Sequence, residues 1–208
     1  MSARTHRRDP VRRVIRTAKE GSARDAIGTI TPGCEIFVLT YGQFSLIDAI
    51  VALIRQTGPA DVVLSTWTAG GADLTTAAAL LETAEIRSLR MIVDRSFITR
   101  QPGYCRRMRE LFGDECIRTM RSHAKFAAIR NEDWDLAVRT SMNLNTNPRL
   151  EQIEISDDPN FADFLCQIAD DLWQEQPPGV FDGELPRLAS IPSVELPGRV
   201  SGVGTVSI

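Results

Sequence analysis

Residues Ser122–Glu154 read SHAKFAAIRNEDWDLAVRTSMNLNTNPRLEQIE. The stretch contains three closely spaced strand patterns: His123–Arg130, Asp135–Ser141 and a third, Glu151–Ser156, that opens near its end. Short connections of this kind suit antiparallel neighbours, because a parallel pair needs a long crossover. This stretch therefore predicts that the sheet to which it belongs is not purely parallel.

The chain upstream has a different rhythm. Cys34–Thr40 (CEIFVLT), Asp61–Trp67 (DVVLSTW) and Arg87–Asp94 (RSLRMIVD) are apolar, β-branched runs bounded by turn signals, and read as buried strands. Between and after them lie helical patterns. Phe44–Ile54 repeats apolar residues at helical spacing and stops at Gly58-Pro59. Ala72–Thr83 is Ala/Leu-rich, and a third helix opens at Pro102-Gly103 and ends at Gly113. In that third helix Tyr104, Met108, Leu111 and Phe112 are expected inward and Arg106, Arg107 and Arg109 outward. Asp158-Pro159 caps a last helix with Phe161, Phe164, Leu165, Ile168 and Leu172 on one face. Strand-helix alternation followed by closely spaced strands predicts an α/β fold, a mixed sheet flanked by helices on both faces.

Three segments follow from composition. Residues 1–28 form a basic N-terminal arm, 29–175 the domain, and 176–208 a Pro-rich acidic C-terminal tail. Residues 1–33 carry eight basic and three acidic side chains, and 151–208 carry two basic and eleven acidic, so the net charge of −3 hides a strong asymmetry. An arm rich in arginine is suited to phosphate contacts. The ordinary balance of 43% hydrophobic and 25% charged residues argues against wholesale disorder. No apolar run approaches ~20 residues, which excludes a membrane-spanning helix, and no apolar stretch follows the Arg-rich start, as a secretory signal would require. Cys34, Cys105, Cys116 and Cys166 form no C-x-x-C pair, and His6 and His123 are the only imidazoles, so no Cys/His zinc site, metal or cofactor is expected. Scattered thiols without a signal read as reduced cysteines in a cytoplasm.

The chemistry concentrates in the opening stretch. His123 and Lys125 are two apart, which puts both on one face of a strand, with Ala124, Phe126 and Ala128 on the other. Arginine supplies nearly every positive charge here; Lys125 is one of only two lysines, with Lys19. An imidazole beside an ammonium is costly unless an anion is shared, and a phosphate suits both: the ammonium neutralises its oxygens while a neutral imidazole attacks phosphorus. Ser141 and Asn143, again two apart, offer neutral donors to the equatorial oxygens. Glu151 offers a carboxylate for the second imidazole N–H. Arg139 shares the parity of Ser141 and is a candidate for the same anion. Trp67 follows the second strand, where crevices form in α/β sheets, and is a candidate wall of a substrate groove.

In this order the residues resemble the phospholipase D superfamily, whose motif is H-x-K-x4-D-x6-G-S-x-N. The match lies on His123-Ala124-Lys125 and Thr140-Ser141-Met142-Asn143, within a likeness spanning roughly 34–175. Two positions depart from it. Arg130 stands five after Lys125 where the family has Asp, and reading back from Thr140 places that Asp at Asp133. Thr140 replaces the motif's Gly. The resemblance implies His123 as nucleophile, Lys125, Ser141 and Asn143 as phosphate ligands, and Glu151 as the His-orienting carboxylate, with Glu154 as its competitor. It further implies a phosphohistidine intermediate and a second histidine to protonate the leaving group. With one motif per chain, two copies must share a site across a two-fold axis, a homodimer. The function expected is that of a metal-independent phosphodiesterase acting on nucleic acid. The alternative is a catalytically inactive relative serving nucleic-acid binding or assembly. A lipase working at membranes lacks a suitable amphipathic segment.

Overall fold

A computed structural model describes residues 13–17 and 22–179. The elements in chain order are β1 (Arg13–Thr17), α1 (Ala23–Ile27), β2 (Glu35–Thr40), α2 (Leu46–Thr57), β3 (Ala60–Thr66), α3 (Gly71–Glu82) and β4 (Ile86–Asp94). Then follow α4 (Phe97–Arg100), α5 (Pro102–Phe112), β5 (Ile117–Met120), β6 (Phe126–Arg130), β7 (Asp135–Thr140), β8 (Glu151–Asp157) and α6 (Pro159–Glu175). All eight strands join one sheet in the order β1-β2-β8-β7-β6-β3-β4-β5. β1 and β2 pair parallel, as do β3, β4 and β5, while β6, β7 and β8 run antiparallel to their neighbours and bridge β2 to β3. The expected mixed α/β sheet is present.

Alternation along the strands sorts the core into two layers. Val62 and Leu64 of β3, Ala127 and Ile129 of β6, Leu136 and Val138 of β7 and Ile153 and Ile155 of β8 face the main core, together with side chains of α1, α2, α3 and α5. Val63, Phe126, Ala128 and Ala137 face the other way, under Leu165, Cys166, Ala169 and Leu172 of α6. Helices thus cover both faces, with α6 alone on the second among the described residues. In α2, Leu46, Ile47, Ile50, Leu53 and Ile54 are each at most 2% exposed. Each such side chain contributes about 1.5–3 kcal/mol over an exposed one. Their 3.6-residue spacing makes the helix the conformation that buries all of them together. The backbone N–H of Ser45 donates to Asp48 Oδ2 at 2.8 Å and secures the α2 N-terminus. Asp158 accepts from the Phe161 N–H at 3.2 Å ahead of Pro159, the expected start of α6.

Several expectations are corrected. Residues 13–17 are not part of a separate arm: they form β1, in register with Glu35–Leu39. Residues 23–27 form α1, whose Ala23, Ala26 and Ile27 are buried in the main core. A basic composition does not prevent a segment with its own apolar positions from joining a sheet edge. Residues 1–12 and 18–21 of the expected arm and 180–208 of the expected tail lie outside the described residues. Tyr104 does not point inward. Cys105, Met108 and Phe112 form the buried stripe of α5, which rotates Tyr104 to the surface at 44% exposure. His123 and Lys125 precede β6 rather than belonging to it, because Ser65↔Phe126 is the last pair of the β3–β6 ladder.

Candidate active site

Strand direction gathers the site. β2, β3 and β4 end at one edge of the sheet, with Thr40, Thr66 and Asp94. The antiparallel strands β6 and β8 begin at that same edge, with Phe126 and Glu151, and β7 ends there at Thr140. His123, Lys125, Ser141, Asn143, Glu151 and Trp67 therefore all sit at the carboxyl edge of the parallel strands, where open α/β sheets form their crevices.

Three hydrogen bonds, two of them through side chains, hold the segment before β6 in place. The Ser122 N–H donates to Asp94 Oδ2 at 3.0 Å, and Ser65 Oγ donates to the Ala124 carbonyl at 2.9 Å. The Thr140 N–H donates to the Lys125 carbonyl at 3.2 Å. Outside the strand, the His123 and Lys125 side chains still meet. Lys125 Nζ stands 3.3 Å from both His123 ring nitrogens and donates to the His123 carbonyl at 3.0 Å. His123 is exposed and Lys125 half-buried. Burial pushes the Lys125 ammonium below its ordinary value, while the Glu151 carboxylate pulls it back up.

Glu151 lies across from Thr40 in the β2–β8 ladder and accepts the Ser141 hydroxyl. The Ser141 Oγ in turn accepts the Gln152 N–H at 2.9 Å. Among the described hydrogen bonds none joins Glu151 to His123, so the expected carboxylate–imidazole bond is not made here; Glu151 is engaged instead by Ser141, at the end of the adjacent strand β7. The loop after β7 is tied down at three points. The Leu46 N–H donates to the Asn143 carbonyl at 3.1 Å, the Gly70 N–H to the Leu144 carbonyl at 2.6 Å, and the Trp67 N–H to Asn143 Oδ1 at 3.2 Å. With Oδ1 engaged, the Asn143 amide group is oriented with its NH2 as the remaining donor. The Trp67 ring meets the His123 ring edge-on, with centroids 5.5 Å apart.

Two candidates lie elsewhere. Arg139 pairs with Glu154 at 2.6 Å, and its guanidinium lies 4.8 Å from the Phe161 ring centroid of α6. The strand ends at Thr140, so the parity argument linking Arg139 to Ser141 breaks there. The same pair engages Glu154 and removes it as a partner for His123. Of the motif departures, Thr140 closes β7 at the crevice edge, while Arg130 and the shifted Asp133 sit at the far end of β6. Arg130 pairs with its cross-strand neighbour Asp135 at 2.5 Å and reaches Asp163 of α6 at 3.4 Å. Asp133 is exposed in the hairpin, where its N–H donates to Asn131 Oδ1 at 3.0 Å.

Three residues that position the site were not singled out from sequence. Asp94 holds both Ser96 and Ser122, and Ser65 holds Ala124. Both stand at or near strand ends on the crevice edge, which is the signal that identifies them. Arg100 stacks on Trp67, 3.7 Å above the ring, and donates to its carbonyl at 2.8 Å. A contact between residues 33 apart left no local pattern. Among the described residues no group of three or more His, Cys, Asp or Glu side chains is placed to hold a metal ion, and no helix is long and apolar enough to cross a membrane. Cys34, Cys105 and Cys166 are buried and Cys116 half-buried, all as free thiols.

No family model matches the chain, and no curated protein matches it. Solved structures with similar folds are found. NucT from Helicobacter pylori is 13% identical at a TM-score of 0.46, over 71% of this chain and 99% of that one. A polyphosphate kinase from Porphyromonas gingivalis is 15% identical at 0.48, over 66% of this chain and 26% of the kinase. Nuc from Salmonella typhimurium, a phospholipase D family member, is 14% identical at 0.43, over 63% of this chain and 90% of that one.

Proposed function

We propose that this protein is a phospholipase D-like phosphodiesterase acting on nucleic acid through a phosphohistidine intermediate, at a site completed by a second copy of the chain. The observation that carries the reading is the His123–Lys125 pair: an exposed imidazole with an ammonium 3.3 Å away, beside the hydroxyl of Ser141, the amide of Asn143 and the carboxylate of Glu151. Two cationic or potentially cationic groups left side by side at a sheet edge are suited to share an anion.

The substrate phosphate sits against Lys125, with the Ser141 hydroxyl and the Asn143 NH2 on its remaining oxygens. Ser141 exchanges Glu151 for a phosphate oxygen, and Glu151 then accepts a ring N–H of His123 and fixes its tautomer. The other ring nitrogen attacks phosphorus, forming an N–P bond as the P–O bond to the leaving group breaks. The partner subunit's His123 gives its proton to the departing oxygen. Water then attacks phosphorus and gives a proton back to that second imidazole, and the N–P bond breaks to release the phosphate monoester. Arg130 lies at the opposite end of β6 from this chemistry, so its departure from the family motif leaves the reacting groups untouched.

The test is hydrolysis of a chromogenic phosphodiester in excess EDTA by the wild type and by His123→Ala. Turnover by the wild type and a loss of several orders of magnitude in the variant is the expected result, since a covalent nucleophile is not replaceable. His123 is exposed, so the variant unfolds within about 0.5 kcal/mol of the wild type. Undiminished turnover by the variant refutes the assignment.

A further inference from the structure

A line of contacts leads away from His123 to a second feature. His123 meets the ring of Trp67, and Arg100 stacks on that same indole, 3.7 Å from its centroid. Thr68, next to Trp67, donates its hydroxyl to Gln101, next to Arg100. Gln101 lines a cavity of ≈ 590 Å³ with Gly71, Thr75, Gly103, Tyr104 and Arg107. That volume is within the range of about 300–1,000 Å³ that small-molecule sites occupy.

The cavity is built around an aromatic ring that the fold does not consume. Tyr104 is 44% exposed, and the core stripe of α5 is supplied by Cys105, Met108 and Phe112. The first residue of α3 is Gly71, and a Cβ there would stand 3.3 Å from Tyr104 Cε1. The ring is thus seated against a glycine backbone at one edge and open to the cavity elsewhere. Gly103, beside it, has nothing within 4 Å of the Cβ it lacks, which leaves the approach clear. Arg107 adds a cation to the rim, paired with Glu110 at 3.7 Å. Residues 95–139 as a whole carry ten basic and six acidic side chains. An open aromatic face with an arginine alongside is the combination that holds a planar ring attached to an anionic chain.

We propose that this cavity is a subsite for an unpaired nucleobase of the strand whose phosphate is held at His123, the base stacking on Tyr104. The proposal rests on the phosphodiesterase reading for its account of the neighbouring phosphate. A base inside a duplex already has both faces covered, so Tyr104 can take only one from a single strand or a frayed end. The substrate class follows: single-stranded nucleic acid.

The experiment measures fluorescence anisotropy of a labelled single-stranded oligonucleotide and of an abasic oligomer of equal length and charge. The full chain carrying His123→Ala is used to prevent turnover, with and without Tyr104→Leu or Tyr104→Phe. The base-bearing strand is expected to bind about tenfold more tightly than the abasic one. Tyr104→Leu should remove that difference without weakening the abasic oligomer, and Tyr104→Phe should keep it. Equal binding of the two oligomers, a difference that survives Tyr104→Leu, or equal competition by a duplex of the same sequence overturns the subsite. Hydrolysis of the small chromogenic diester separates the two readings. Its absence in the otherwise wild-type chain defeats the phosphodiesterase, while base-dependent binding lost in Tyr104→Leu still supports the subsite.

Discussion

The Lys125 ammonium stands 3.0 Å from the His123 carbonyl and 3.3 Å from each of its ring nitrogens, within reach of the field of Glu151. Burial disfavours the charged ammonium and the carboxylate favours it, and burial is the larger of the two. Folded Lys125 therefore holds its proton less tightly than in the unfolded chain. Its charge opposes folding below its lowered pKa, and stability rises with pH between that value and the ordinary one.

The same balance predicts a pH effect on activity. In the proposed mechanism the ammonium holds the phosphate, so turnover should fall as pH rises through the pKa of Lys125, below the ordinary lysine value. Glu151→Gln removes the one influence that raises it, and the alkaline limb of the pH–rate profile should move to lower pH. A limb that stays in place or moves upward in the variant counts against this electrostatic link.

The proposed mechanism uses two His123 side chains, one from each of two chains. Specific activity should therefore fall on dilution through the dissociation range of a dimer, in step with the sedimentation coefficient. Full activity from a species that sediments as a monomer refutes the shared site.

Arg130 joins the β6–β7 hairpin to α6 through Asp135 and Asp163. Its side chain is 35% exposed, so solvent screens both pairs. Arg130→Ala should lower unfolding free energy by about 0.5–1 kcal/mol in urea titration and leave kcat unchanged. A large loss of activity with little loss of stability places Arg130 in the chemistry after all.

Gly42 has φ +76°, and a Cβ on it would lie 1.6 Å from the Asn147 carbonyl oxygen. Both the left-handed backbone and the close approach require glycine. Gly42→Ala should lose about 3 kcal/mol and displace the loop that carries Asn143. A reduced kcat should accompany a lower urea midpoint, and a variant as stable as the wild type contradicts the packing described.

The sequence by itself determined what local spacing encodes. The alternating strands and helices, the Asp158-Pro159 cap, the closely spaced strands β6 to β8 and the shared side of His123 and Lys125 all follow from periods of two and 3.6 residues. Those periods depend on neighbours a few positions away, and the structure contains each of them. Tertiary structure alone decided which distant groups meet. Arg139 is directed to Glu154 and Phe161 because α6 packs over that face. Residues 13–17 become a strand because β2 offers a free parallel edge. His123 and Lys125 leave the ladder because Asp94 and Ser65, from two other strands, hold that segment instead. Tyr104 faces outward because Cys105, Met108 and Phe112 take the buried stripe of α5, which packs on α3. Each outcome is a competition between partners far apart in the chain, and local periodicity carries no record of who wins it.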